Sequence, residues 1–131
     1  MATLFGKIAA GEIPSYKIGE NDEFFAFLDI HPVTVGHTLV IPKQETDYIF
    51  DIDDDLLGRM MIFAKKTALA IRKAIPCTRV GVAVVGLEVP HAHIHLIPVN
   101  KESDMHFSNP KLICTPEKFE SVAEKIRLAW E

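Results

Sequence analysis

Residues 90–98 read Pro90-His91-Ala92-His93-Ile94-His95-Leu96-Ile97-Pro98. The apolar and partly β-branched residues among them suit a β-strand. Strand side chains alternate between faces, so His91, His93 and His95 would share one face. Ala92, Ile94 and Leu96 would take the other, against a core. A helix would scatter the three imidazoles around its circumference. A lone histidine is usually a satisfied polar residue. Three in alternation, drawn from 6 histidines, arise by chance on the order of one time in a hundred. Two uses fit this spacing about equally well. One is a metal site, for which alternating histidine is a common ligand pattern. The other is a nucleophilic imidazole flanked by acid and hydrogen-bonding partners, since neutral imidazole attacks and imidazolium donates near neutral pH. A solvated strand without function fits less well.

Around this stretch, Val89–Val99 reads as one strand and Arg79–Val85 as the strand before it. Only Gly86-Leu87-Glu88 separates them, which predicts an antiparallel hairpin. Upstream, Asp53-Asp54-Asp55 supplies an N-cap and an acidic first turn for a long helix. Leu57, Met60, Met61, Ala64, Ala68, Ile71 and Ile75 recur there at helical spacing, with the methionines as core filler, and Pro76 stops the helix. Earlier strands are predicted over Ser15–Ile18, Glu23–Leu28 and Gly36–Ile41, after a short helix carrying Leu4, Phe5, Ile8 and Ala9. Downstream, Asn100–Pro110 is a polar loop. Thr115-Pro116 then opens a last helix whose stripe is Phe119, Val122, Ala123, Ile126 and Trp130. Strands, a long helix, a hairpin and a terminal helix make an α+β fold with a mostly antiparallel five-stranded sheet.

The chain has 131 residues, one domain's worth, with 48% hydrophobic and 24% charged residues. A net charge of -4 gives no electrostatic case for nucleic acid or an anionic membrane. Cys77 and Cys114 sit in no paired motif, which suits a reducing cytoplasm. No apolar run is long enough to span a membrane, and the N-terminus shows no signal-peptide pattern. His31 and His106 read as surface residues.

His91-Ala92-His93-Ile94-His95-Leu96-Ile97 resembles the motif of the histidine triad (HIT) family, in its Hint-like branch. Leu4-Phe5-Gly6-Lys7-Ile8 resembles the family's opening segment and Phe27-Leu28-Asp29-Ile30 its ribose-contacting turn. Gly36-His37-Thr38-Leu39-Val40-Ile41-Pro42-Lys43 resembles the strand that brings in a fourth histidine. The resemblance implies a HIT-like fold, with a HIT domain over residues 3–107 and a C-terminal extension over 108–131. It implies a hydrolase or nucleotidyl transferase acting at the α-phosphate of a purine nucleoside phosphoramidate or related nucleotide ester. His93 would be the nucleophile, its Nδ1 proton held by the His91 carbonyl, with His37 and His95 at phosphate oxygens or the leaving group. Asp29 would accept a ribose hydroxyl, and Leu4, Phe5, Ile8, Phe27 and Ile30 would form the base pocket. Gly86 and Glu88 would border the nucleotide. It also implies a homodimer, for which the apolar helix at Leu56–Ile75 offers a seam, and no cofactor.

Two departures bear on this reading. Many family members carry a longer glycine-rich loop before the triad, with an Asn or Gln phosphate ligand; Leu87 stands where Gln is expected. Some bind structural zinc through two N-terminal cysteines, where this chain has Thr3 and Gly6, so no metal is expected. The shortened loop opens an alternative, a nucleotide-binding protein with little turnover; a metal-binding triad is the other. Phosphoryl transfer needs charge stabilisation and positioning above all. No Lys or Arg lies between Gly81 and Val99. The phosphate charge must then meet imidazolium and backbone N–H groups, unless a distant cation folds in.

Overall fold

A computed structural model describes residues 3–130; Glu131, the end of the predicted extension, lies outside them. Helix α1 (Leu4–Ala9) starts at Thr3, whose Oγ1 accepts the Gly6 N–H at 3.0 Å. It runs out before Gly11, which has a φ of +81°. Strands β1 (Lys17–Glu20), β2 (Phe24–Leu28) and β3 (Thr38–Pro42) follow. Helix α2 (Asp54–Ala74) is capped by Asp53, which accepts the Leu56 N–H at 2.9 Å. Arg72 and Lys73 occupy its last turn. Strands β4 (Arg79–Ala83) and β5 (Ile94–Val99) and helix α3 (Pro116–Ala129) complete the order. The α+β expectation holds. The sheet has five strands in the order β1-β2-β3-β5-β4, every neighbouring pair antiparallel.

The two faces of this sheet differ. Phe24, Ala26, Leu28, Val40, Ile94 and Leu96 point to one face. They pack under Leu56, Met60, Phe63, Ala64 and Ile71 of α2 and Val122, Ala123 and Ile126 of α3 in one continuous core. The opposite face carries two smaller clusters. Phe5 and Ile8 of α1 cover Phe25, Phe27, Leu39 and Ile41. Val33, Ile97 and Val99 meet Met105 and Phe107. The histidines lie on this second face.

Three expectations change. Met61 is 51% exposed rather than core, because it falls on the outer side of α2. The predicted hairpin is not tight: β4 ends at Ala83 and β5 begins at Ile94, so Val84–His93 is a ten-residue connection. The predicted strand over Val89–Val99 therefore shrinks to its second half. Pro90 has no N–H to give a ladder. The His91 N–H turns back to the Val89 carbonyl at 2.8 Å, and the Ala92 N–H reaches the Thr46 carbonyl at 2.7 Å. Ala92 still points into the main core, so the inside–outside alternation persists through residues that do not pair as a strand.

Candidate active site

Each histidine is held differently. His95 lies within β5, opposite Leu39 of β3 and Ala83 of β4. His93 lies just before the strand, in the irregular lead-in, and is 6% exposed. Its Nδ1 is 2.8 Å from the His91 carbonyl oxygen. A carbonyl only accepts, so Nδ1 carries the proton, and neutral His93 keeps a lone pair on Nε2. The ring stands edge-on between Phe5, 5.1 Å away, and His95, 4.8 Å away by ring centroids. That is closer than the roughly 6–7 Å that two strand rises give.

The His91 ring does not join its neighbours. It is fully buried, and its Nε2–H donates to the Pro42 carbonyl at 2.7 Å. Its Nδ1 lies 2.8 Å from Thr3 Oγ1 and 3.2 Å from Glu45 Oε2. Both ring nitrogens of His91 face partners inside the protein, and it is its backbone carbonyl that meets His93. Thr3 also meets Glu45, its N–H donating to Oε1 at 3.3 Å and its Oγ1 standing 2.9 Å from Oε2, and the single hydroxyl proton serves either Glu45 or His91 Nδ1. Partial burial opposes ionisation of Glu45, but the Thr3 hydrogen bonds and the adjacent His91 hold its carboxyl below the usual carboxylate value. Thr3, Glu45 and His91 thus tie α1 to the triad segment.

His37 sits at the mouth of β3, after Gly36, whose φ of +93° makes the turn. Its Nδ1 accepts the Val33 N–H at 3.2 Å, so neutral His37 carries its proton on Nε2. That proton faces His95 Nδ1 at 2.9 Å. His95 must then carry its own proton on Nε2, its remaining nitrogen. Burial, followed by the charges of Lys111 and His93, pushes His37 down to about 4. Burial, followed by His37 and His93, pushes His95 down to about 3. Near neutral pH both rings are uncharged donors in a directed chain, Val33 to His37 to His95.

Asp29 closes this corner. Its Oδ1 accepts the His31 N–H at 2.8 Å, and its Oδ2 stands 3.6 Å from His37 Nε2. Asp29, His37 and His95 bring ligand-type atoms within 4.8 Å of one another. The hydrogen-bond pattern does not suit a metal. A ligating His37 Nε2 would have to lose its proton to Nδ1, where it would meet the Val33 N–H.

The other predicted residues divide. Phe5, Phe27 and Ile8 pack together beneath His93, whereas Leu4 and Ile30 are 52% and 57% exposed at the rim. Glu88 is exposed and Gly86 half-buried on the Val84–His93 connection, Gly86 with a φ of +76°. His31 and His106 are exposed, as expected. Sequence reasoning missed Glu45, Phe107 and Lys111. The Phe107 ring lies 4.7 Å from His95 and 6.3 Å from His37. The Lys111 ammonium lies 5.7 Å over Phe107 and donates to its carbonyl. The want of a cation near the triad was the one signal that pointed outside it.

The HIT domain family model matches residues 10–102. An uncharacterized HIT-like protein of Borreliella burgdorferi is 37% identical over 133 residues, covering 95% of this chain and 96% of the relative. An adenosine 5'-monophosphoramidase of Schizosaccharomyces pombe is 32% identical over 132 residues, covering 96% of each. The crystal structure of a Hit-like protein of Bartonella henselae, described as involved in cell-cycle regulation, superposes with a TM-score of 0.85 at 34% identity. It covers 97% of this chain and 95% of that one. With this fold and four histidines so arranged, the chain belongs to the HIT family.

Proposed function

We propose that this protein cleaves the bond between the α-phosphate and the leaving group of a purine nucleoside phosphoramidate or related nucleotide ester. The observation that carries the reading is the 2.8 Å hydrogen bond from His93 Nδ1 to the His91 carbonyl, which aims a lone pair out of Nε2. The phosphoramidase name of the Schizosaccharomyces pombe relative supports the same chemistry. Residues Val84–Pro90 before the triad lie outside the strand ladder, a longer lead-in than the three-residue turn on which the low-turnover alternative rested, although Leu87 still stands where Gln is expected.

In this reading Nε2 of His93 attacks the α-phosphorus. The bond from phosphorus to the leaving group breaks, and the leaving group departs with the bonding pair and takes up a proton from solvent. Water then attacks the nucleotidyl-histidine, Nε2 recovers its pair, and the water gives up a proton. His95 presents Nε2–H to a phosphate oxygen. As a neutral imidazole it stabilises developing charge rather than supplying the leaving group's proton. His37 orients it. Asp29 Oδ2, not used by the His31 N–H, accepts a ribose hydroxyl. The purine rests at the apolar rim of Leu4 and Ile30, above Phe5, Phe27 and Ile8, with Gly86 and Glu88 bordering the phosphate.

Rapid quenching of wild-type turnover of adenosine 5'-phosphoramidate should trap an acid-labile nucleotidyl adduct on His93. An adduct mapped elsewhere, or none despite rapid turnover, would overturn the covalent step. We also read the protein as a homodimer. Strand β4 is an open sheet edge bearing Val82, with Val84, Val85 and Leu87 exposed beyond it. Met61, Ile62 and Leu69 line the outer side of α2. A monomer mass from light scattering at micromolar concentration would exclude this.

A further inference from the structure

Resting on the reading above, we propose that Lys111, in the C-terminal extension, supplies the positive charge that the substrate's phosphate meets at this site. A phosphate bound against His93 and His95 brings negative charge into a wall where burial keeps His37 and His95 neutral. Neutral N–H donors stabilise it by hydrogen bonding, but no formal charge offsets it. Between Gly81 and Val99 there is neither Lys nor Arg.

Lys111 reaches this wall from outside the segment that the family model covers, residues 10–102. Two anchors hold its segment in place. The Phe107 ring packs with Val33, Ile97 and Val99 and lies edge-on to His95, 4.7 Å away. Five residues after Phe107, the Leu112 N–H donates to the Pro32 carbonyl at 2.9 Å, beside the turn that carries Asp29 and His37. Between these anchors the Lys111 ammonium lies over the Phe107 ring and donates to the Phe107 carbonyl. An ammonium has three donors, so two remain for a ligand. Its charge is felt at both His37 and His95. The face of Phe107 supports the cation while the same ring lies 4.7 Å from His95, so one residue ties the charge to the donor chain.

The test compares Lys111→Gln and Lys111→Arg with wild type, and uses Lys125→Gln, an exposed lysine on α3, as control. AMP binding and kcat/KM are measured at low and high salt. Lys111→Gln should bind AMP roughly tenfold more weakly at low salt, and the salt dependence should flatten. Lys111→Arg should stay within about twofold of wild type, because charge rather than shape is required. Lys125→Gln should match wild type. Adenosine 5'-phosphoramidate, with a neutral leaving amine, and a dinucleoside polyphosphate distinguish two sources of the same chemistry. Equal losses place the ammonium at the α-phosphate, and a larger loss with the polyphosphate places it at the next phosphate. Lys111→Gln with wild-type AMP affinity and unchanged salt dependence overturns the inference. Absence of turnover in the wild type would sink the proposed reaction instead, while AMP binding would still report on Lys111.

Discussion

The two faces of the sheet are built from alternate residues of the same strands, yet they carry different loads. On β5, Ile94 and Leu96 enter a continuous core under α2 and α3, while His95 between them faces the opposite way. That opposite face has only two small apolar clusters, one under α1 and one against Phe107, with the imidazoles between them. One face supplies most of the apolar burial, so the other can hold buried polar rings whose desolvation costs stability. Stability and chemistry are thus separable by one residue along a single strand.

The largest expected effect tests that separation directly. His93→Ala removes the nucleophile and should lower turnover by at least about a thousandfold, with AMP binding and melting temperature nearly kept. Leu96→Ala should do the reverse. Leu96 is 1% exposed in the main core, so truncation should cost about 3 kcal/mol. At this chain length that lowers the melting temperature by roughly 10 °C. Its kcat at a temperature where it is folded should stay near wild type. Calorimetry and steady-state kinetics on both variants decide the matter. If Leu96→Ala loses turnover while fully folded, the two faces are coupled after all.

A gentler probe is pH. An unperturbed histidine titrates near 6.5, and in the fold burial pushes His37 down to about 4 and His95 to about 3. Below pH 6.5 the unfolded chain takes up protons that the folded one refuses. The histidines' contribution is therefore full above that pH and is lost as pH falls through the folded values. Between pH 6.5 and 5 this loss precedes most titration of carboxylates, whose reference value is 4.5 for glutamate. Urea midpoints should fall across that window, and His95→Asn should flatten the slope. A wild-type midpoint independent of pH from 6.5 to 5 would show that the rings are not held neutral by burial.

The main core was legible because its signals are local and periodic. The Asp53 cap, the spacing of Met60, Ala64 and Ile71, and Thr115-Pro116 each act within a few residues. The residues of the triad were legible too, but their arrangement was not. Alternation marks which way a side chain points, and it continued through His91 and Ala92 although no strand partner was there. What decides those residues is long-range: Thr46 and Pro42 receive their hydrogen bonds. Glu45 and Lys111 were missed for the same reason. Neither lies in a motif, and each gains its place only when α1 or the C-terminal extension folds back.

The smallest effect concerns Gly6, where the two faces offer no help to each other. A Cβ at Gly6 would stand 1.7 Å from Glu45 Oε1, so the carboxylate fills the space a side chain would take. Glu45 is the end of a flexible side chain, 40% exposed, and it can swing into water. Gly6→Ala should therefore leave α1 folded, and the better helix propensity of alanine, about 1 kcal/mol, offsets the lost contacts. The latch would open all the same. Thr3 and His91 Nδ1 would lose the carboxylate that joins them. The His91 carbonyl that holds His93 would be less firmly placed, and kcat should fall a few-fold with little change in melting temperature. Glu45→Ala should do the same, and the double variant should be no worse than either single one, because both remove one contact. If the losses multiply instead, Gly6 acts on the site by some route other than Glu45.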